Sequence, residues 1–247
     1  MLTVRRGTVI AGTGAVGLLA GLAMASGLGP LGWLVGLTVA GATNSLLARG
    51  LARRGIDAVH LPNRVTLARA MLVAAVAALV ADGAARPAHT TAVVTLATIA
   101  LLLDLVDGQV ARRTHAVTEL GARFDMEVDA FLILVLSGFV APLAGLWVLA
   151  IGAARYVYVA AGWVLPWLRR PVPPRYWRKV VAAIQGIVLT VAAAQLLPTI
   201  VADLALAAAL ALLAESFGRD VWWLWLGTRK PARRPVETAH LALVGTP

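Results

Sequence analysis

Residues 103–130 read LDLVDGQVARRTHAVTELGARFDMEVDA and connect two long apolar runs, residues 90–108 and 122–141. The carboxylates of this stretch lie where the sequence changes from hydrophobic to polar. A helix that crosses a membrane needs about 20 mostly apolar residues. The stretch therefore predicts two consecutive membrane helices, joined by a short polar loop and carrying acidic side chains at the ends that meet in this loop.

Further apolar runs of similar length flank these two. They cover residues 8–25, 31–48, 65–82, 143–166, 180–197 and 199–217. Of the 247 residues, 60% are hydrophobic and only 14% are charged, whereas a soluble domain has about 25% charged residues. We therefore predict an all-α integral membrane protein with about eight spans. The chain has no cysteine, which excludes disulfides, cysteine metal sites and a thiol nucleophile.

The basic residues predict the orientation in the membrane. The net charge of +10 comes from residues that fall at the two ends and in alternate connections between the runs: Arg5 and Arg6; Arg49, Arg53, Arg54 and Arg64; Arg112 and Arg113; Arg169, Arg170, Arg175, Arg178 and Lys179; and Arg229, Lys230, Arg233 and Arg234. Because basic loops face the cytoplasm, we expect both termini and these connections on the cytoplasmic side of the membrane. The membrane is expected to be the cell membrane of a bacterium. This distribution argues for membrane lipids rather than nucleic acid as the partner of the positive charge.

The first 25 residues admit two interpretations. Arg5, Arg6, a short apolar stretch and Ala23-Met24-Ala25 fit a cleavable signal peptide. A second apolar run follows after a short Gly/Pro turn, so an uncleaved helical hairpin is favoured. Gly17 and Gly21 form a small-xxx-small pair, which predicts a close helix contact.

The acidic residues of the opening stretch form two pairs. Asp104 and Asp107 are three residues apart and Asp125 and Asp129 are four apart, so each pair shares a helix face. A short loop folds the second helix against the first and brings the four carboxylates together. Oxygen ligands of this charge suit two divalent cations, Mg²⁺ or Mn²⁺, about 3.5–4 Å apart. Zinc is not expected, because no cysteine or histidine is among these residues.

The neighbouring residues fit phosphate chemistry. Gly108 and Ala111 form a small face against which a ligand could lie, and Arg112 offers a guanidinium fork for phosphate oxygens. From the spacing alone two alternatives stay open. The charges could form a salt-bridge network with nearby arginines, or the acids could form the ion path of a multi-span cation transporter or channel.

The whole stretch resembles a known signature. The CDP-alcohol phosphatidyltransferase family carries a motif that is similar at eight positions over 26 residues: Asp104-x2-Asp107-Gly108-x2-Ala111-Arg112-x8-Gly121-x3-Asp125-x3-Asp129. A second element that resembles this family opens the third run: Pro62-Asn63-x2-Thr66-x2-Arg69. The resemblance implies an enzyme that transfers a phosphatidyl group from a CDP-linked lipid to an alcohol and releases CMP.

The resemblance also implies roles for individual residues. Asp104, Asp107, Asp125 and Asp129 would hold the two metal ions, with Asp129 also acting as the general base. Gly108, Ala111 and Arg112 would hold the CDP portion of the donor. It implies a six-helix catalytic domain at residues 59–227, after an N-terminal transmembrane hairpin and basic linker at residues 1–58 and before a cytoplasmic basic tail at residues 228–247. The active site is expected to face the cytoplasm.

The acceptor alcohol is left open. Arg155, Arg178 and Lys179 are basic residues that could bind a phosphorylated acceptor, such as glycerol 3-phosphate or an inositol phosphate. Phosphatidylglycerol is a further possibility, and the same charges could serve only topology and anionic headgroups. Asp203 and Glu215 in the last run could be structural or could line a homodimer contact.

Overall fold

The structure is a computed structural model that describes residues 2–53, 58–59, 61–83, 87–114, 119–173 and 175–229. The α-helices follow one another along the chain as α1 (Val4–Ser26), α2 (Pro30–Ala52), α3 (Leu61–Ala81), α4 (Pro87–Thr114), α5 (Glu119–Ala144), α6 (Leu149–Val164), α7 (Tyr176–Ala193) and α8 (Thr199–Arg229). Short 3-10 turns, Leu146–Val148 and Pro166–Arg169, flank α6. Two short strands, β1 (Leu2–Thr3) and β2 (Ala58–Val59), pair antiparallel.

Most of these helices are long enough to cross a bilayer. Among the described residues, 7 helices combine the required length and hydropathy, and a shorter apolar segment covers Val65–Ala81 of α3. These eight segments match the eight apolar runs, which confirms the predicted all-α integral membrane fold. The predicted basic tail lies outside the described residues from residue 230 onward.

Two helix ends differ from the sequence prediction. The sequence predicted that one apolar run ends at residue 141 and the next begins at residue 143, but α5 continues through Pro142 to Ala144. A proline near the end of a helix removes one backbone donor and disturbs only the last turn. Gly145, at φ 109°, follows the end of the helix in a backbone conformation that favours glycine. Helix α8 also runs to Arg229, so the tryptophans at 222, 223 and 225 lie in its last turns.

Helix α3 is the centre of the bundle. Helices α1, α2, α4 and α5 all pack against it, and each residue from Val73 to Leu79 is at most 4% exposed. Four of these seven residues are alanine, so neighbouring helices can approach closely. A helix that is apolar on all sides is typically surrounded by protein. This central position fixes the first turns of α3 beside α4 and α5.

The N-terminal hairpin docks through α2. A Cβ atom added to Gly36 would lie 3.0 Å from the Cβ of Ala78, and one added to Gly32 would lie 2.9 Å from the Ala78 carbonyl oxygen. The backbones of α2 and α3 are therefore in close contact here. The contact predicted at Gly17 and Gly21 is wrong for this chain, because an added Cβ at either meets no described atom within 4 Å.

A set of buried polar groups joins two turns at one end of the bundle. The backbone N–H of Gly29 donates to Asp82 Oδ2 at 3.0 Å. The ring nitrogens of His89 lie 3.1 Å from the carbonyl oxygen of Gly83 and 3.2 Å from that of Ser26. Together Asp82 and His89, with these backbone groups, form the turn cluster, which ties the α1–α2 turn to the α3–α4 turn.

Candidate active site

Three carboxylates, one from the second half of α4 and two from the first half of α5, converge in one place. One oxygen from each of Asp104, Asp125 and Asp129 lies within 4.8 Å of the other two. Asp125 and Asp129 are one helical turn apart on α5, and α4 presents Asp104 to the same face. Their side chains are 36%, 32% and 32% exposed, so the site is not enclosed by protein. These three residues form the acidic trio.

Of the remaining signature residues, Gly121 lies on α5 and the other four lie on α4, which continues through Thr114. Asp107 follows Asp104 by three residues, and Gly108, Ala111 and Arg112 follow along the same helix. Their side chains lie outside the described part of the structure, so their predicted roles stay predictions. The backbone of α4 extends them away from Asp104 towards the α4–α5 connection.

Arg69 on α3 lies in the middle of the acidic trio. Its Nη1 is 2.9 Å from Asp104 Oδ1 and also pairs with Asp125 Oδ1, while Nη2 pairs with Asp129 Oδ1. The side chain is only 1% exposed. Removing an arginine from water is costly unless it is paired, and here three carboxylates provide the partners. Arg69 belongs to the second motif, but the motif alone predicted no role for it. An arginine within an apolar run is the sequence signal that points to such a role.

The trio keeps a surplus of negative charge after this pairing. Three carboxylates and one guanidinium leave these four side chains with a formal charge of two negative. The donor atoms are all carboxylate oxygens, which Mg²⁺ and Mn²⁺ prefer. Charge, donor type and accessible carboxylate oxygens therefore all fit a divalent cation at the trio.

Arg155, a predicted acceptor residue, pairs with an acid outside the trio. Its Nη2 pairs with Glu127 Oε1, and its Nε lies 3.3 Å from Glu127 Oε2. Glu127 is on α5 between Asp125 and Asp129 in sequence but points to α6. The pair is partly exposed, with Arg155 at 29% and Glu127 at 55%. The positively charged Arg155 therefore lies on α6, next to the helix that carries Asp125 and Asp129.

The other two predicted acceptor residues lie on α7. Arg178 Nη1 is 3.2 Å from Asp220 Oδ2 on α8, and its Nη2 donates to the carbonyl oxygen of Pro173. Lys179 is exposed. Nearby Gln185 is buried and donates to the carbonyl oxygen of Ala209 at 2.9 Å. Arg178 and Gln185 thus tie α7 to α8 and to the chain before α7, and their contacts are with protein groups.

Comparison with known proteins gives the same assignment as the signature. The family model described as CDP-alcohol phosphatidyltransferase matches residues 59–216, which include the whole acidic trio. The chain is 29% identical over 166 residues to a Drosophila melanogaster protein named probable cardiolipin synthase (CMP-forming). That region covers 66% of this chain and 48% of the relative, so the chain spans about half the length of the curated relative.

No solved structure matches the chain significantly. The family match covers more than half of the chain and runs from the start of α3 through most of α8. It also places Arg69 and the signature residues within one matched region. The resemblance found in the sequence is confirmed, and the chain belongs to the CDP-alcohol phosphatidyltransferase family.

Proposed function

We propose that this protein transfers a phosphatidyl group from CDP-diacylglycerol to an alcohol acceptor and releases CMP. The observation that carries the proposal is the convergence of Asp104, Asp125 and Asp129, at signature positions inside the region that matches the family. A cation transporter would need acids distributed through the depth of the membrane. The trio instead lies together at one end of the bundle, which favours the transferase.

The acidic trio, with Asp107 from the same face of α4, would hold two divalent cations, Mg²⁺ or Mn²⁺. When bound, these ions would neutralise the pyrophosphate and the negative charge that develops on the departing CMP. Gly108 and Ala111 would leave room for the CDP portion beside α4, and Arg112 would bind its phosphate oxygens.

Asp129 is the proposed general base. The acceptor hydroxyl attacks the lipid-side phosphorus, a new oxygen–phosphorus bond forms, and the bond from that phosphorus to the CMP oxygen breaks. The hydroxyl proton passes to Asp129. Oδ1 of Asp129 accepts a hydrogen bond from Arg69 Nη2, so we assign the proton to Oδ2. Arg69 holds Asp125 and Asp129 in fixed orientation, which keeps the base aimed at the acceptor.

Phosphatidylglycerol is the proposed acceptor. The name of the Drosophila melanogaster relative supports it, because cardiolipin forms when a phosphatidyl group is added to phosphatidylglycerol. The acceptor carries a phosphodiester, and Arg155 on α6 is a partly exposed cation near the trio that would bind it. Exposed Lys179 is a second candidate, whereas Arg178 would have to leave Asp220 to take part.

The reaction is proposed to occur at the cytoplasmic face of a bacterial cell membrane. The last turn of α4 carries Arg112 and Arg113, and the α2–α3 and α6–α7 connections are also basic. By the positive-inside rule these connections share the cytoplasmic side. CMP would then be released into the cytoplasm.

The test uses purified protein in lipid nanodiscs with Mg²⁺ and CDP-diacylglycerol. Separate reactions contain phosphatidylglycerol, glycerol 3-phosphate, an inositol phosphate or no acceptor, and CMP and lipid products are measured by chromatography and mass spectrometry. We expect CMP and cardiolipin in equal amounts in the reaction with phosphatidylglycerol, and no turnover with the other acceptors. Absence of CMP with every acceptor would contradict the transferase proposal. Turnover with another acceptor would retain the reaction and overturn the acceptor.

A further inference from the structure

A cavity of about 340 Å³ lies next to the acidic trio, between α2, α3, α5 and α6. Ala70 and Val73 of α3, Val128 and Phe131 of α5 and Val39 of α2 are among its apolar lining residues. Ala70 follows Arg69 directly in sequence, and Val128 precedes Asp129. Lining residues of the cavity thus adjoin Arg69 and Asp129 along α3 and α5.

The cavity opens at the outer surface of the bundle. Leu46 of α2 is 63% exposed and Tyr156 of α6 is 37% exposed, and both line it. Both residues are on helices that are long and apolar enough to span the membrane, so the opening faces lipid. A cavity holds water only where two or more polar groups can bind it, and seven of the eleven lining residues are apolar. Its volume lies within the range of ligand sites, and its walls select hydrocarbon.

One end of the cavity is polar. Arg123 and Glu127 of α5 line it, and Glu127 pairs with Arg155. From Arg123 to Phe131 the cavity follows α5 for eight residues, or about 12 Å at the helical rise of ~1.5 Å per residue. Arg123 is two residues before Asp125. A lipid with a chain in the cavity would therefore place its headgroup at the level of the trio.

We infer that this cavity binds an acyl chain of the lipid acceptor, with the acceptor phosphate at Arg123 and Arg155. The inference rests on the proposed function. One wall is α2, which lies outside residues 59–216, the region matched by the family. The CDP-linked donor is common to the family, whereas the acceptor differs between its members. A cavity wall outside the matched region is therefore better assigned to the substrate that differs. That substrate is the acceptor alcohol.

The first test fills the cavity from α2. Val39→Trp adds a large side chain at the cavity wall, and Leu37→Trp is the matched control, because Leu37 is two residues away and 43% exposed on another face. An acyl chain displaced from the cavity returns to bilayer hydrocarbon rather than to water. The expected effect is therefore on how the acceptor headgroup is positioned. We expect Val39→Trp to raise the KM for phosphatidylglycerol roughly tenfold, equivalent to about 1.4 kcal/mol, with the KM for CDP-diacylglycerol unchanged.

Two kinetic outcomes would overturn the inference. A raised KM for CDP-diacylglycerol would assign the cavity to the donor. Equal KM values in the Val39→Trp and Leu37→Trp variants would show that the cavity does not bind the acceptor.

A second test does not depend on turnover. Phosphatidylglycerol with a photoreactive diazirine on one acyl chain is irradiated with wild-type protein in nanodiscs without donor. We expect labelled peptides from α2 and α5 that include Val39 and Phe131, and competition by phosphatidylglycerol but not by phosphatidylcholine. Equal competition by phosphatidylcholine would show bulk lipid in the cavity and overturn the inference.

The two proposals can fail separately. Labelling of the cavity in a protein that releases no CMP would support the lipid site and contradict the transferase proposal. CMP release with phosphatidylglycerol and no labelling of α2 or α5 would overturn the lipid site and leave the transferase proposal standing.

Discussion

Helix α3 is associated with two sets of buried polar residues that have opposite surroundings. In its first half, Arg69 meets three carboxylates that are each about one third exposed. Just beyond its end, Asp82 and His89 are 8% and 0% exposed, and their neighbours are backbone groups of two turns. The two positions are 13 residues apart, or about 20 Å along the helix.

The difference lies in what completes each cluster. In the turn cluster, the polar side-chain atoms of Asp82 and His89 contact backbone N–H and C=O groups. The cluster is therefore part of the fold and holds the hairpin in place. In the acidic trio, side chains from three helices meet with more negative than positive charge, and the carboxylates remain accessible. Buried polar groups with protein partners stabilise a structure, whereas accessible carboxylates with surplus charge provide a ligand site. The predictions below test this division.

Replacing the proposed base should have the largest effect. Asp129→Asn keeps the shape of the side chain and a hydrogen-bond acceptor for Arg69, but the amide cannot take a proton. Loss of a general base lowers kcat by roughly 10²- to 10⁴-fold. CMP release from CDP-diacylglycerol, measured per folded molecule, checks this. Asp203→Asn on α8 is the control and should retain wild-type rates. A wild-type kcat in Asp129→Asn would overturn the base assignment.

Replacing Arg69 should affect the folded state. Arg69→Met removes the cation that three carboxylates share, and breaking a buried ion pair costs about 3–5 kcal/mol. We expect the lower part of this range, because water reaches the carboxylates. The apparent unfolding temperature in detergent with a chelator should fall. Added Mg²⁺ should raise it more in Arg69→Met than in wild type, since ligand binding stabilises the folded state and the guanidinium no longer competes.

Arg69→Lys is the matched control for this prediction. It retains one positive charge but not the fork that reaches Asp125 and Asp129 with separate nitrogens. Its unfolding temperature and its response to Mg²⁺ should be intermediate. If Mg²⁺ raised the unfolding temperature equally in wild type and Arg69→Met, the proposed competition between the guanidinium and the divalent cation would be wrong.

Arg69 also shows where sequence analysis of the site ended. The spacings within Asp104/Asp107 and within Asp125/Asp129 place each pair on one helix face, and the short loop between the helices predicted that the pairs would meet. The structure shows this convergence for Asp104, Asp125 and Asp129. Arg69 lies 35 residues before Asp104 in sequence. Its place among the carboxylates depends on α3 packing between the N-terminal hairpin and the α4–α5 pair. Such a contact follows from tertiary packing and has no periodicity within any one helix.

The fold was predictable to the same degree. Apolar runs of about 20 residues gave the number of helices, because the bilayer sets their length. The helix partners were less accessible. Gly17–Gly21 and Gly32–Gly36 have the same spacing, yet in the described protomer only the second pair contacts another helix closely. The 340 Å³ cavity was also beyond sequence analysis, since four helices that are distant in sequence line it.

Disrupting the turn cluster should lower stability and leave catalysis intact. His89→Ala removes both ring nitrogens and leaves the carbonyl oxygens of Ser26 and Gly83 without them. A buried polar group left unsatisfied costs about 1–3 kcal/mol. The apparent unfolding temperature should fall, while kcat per folded molecule should equal that of wild type. His89→Gln should recover part of the loss. A fall in kcat without a change in unfolding temperature would contradict the structural role.

The smallest expected effects concern Arg155 and Glu127, which belong neither to the turn cluster nor to the acidic trio. Their ion pair is exposed, and such pairs contribute about 0–1 kcal/mol, so neither Arg155→Gln nor Glu127→Gln should shift the unfolding temperature appreciably. If Arg155 binds the acceptor phosphate, Arg155→Gln raises the KM for phosphatidylglycerol roughly 3- to 10-fold, or about 0.7–1.4 kcal/mol. Glu127→Gln removes a competing carboxylate and lowers that KM or leaves it unchanged. A purely structural pair would shift KM in the same direction in both variants, so opposite signs separate acceptor binding from helix packing.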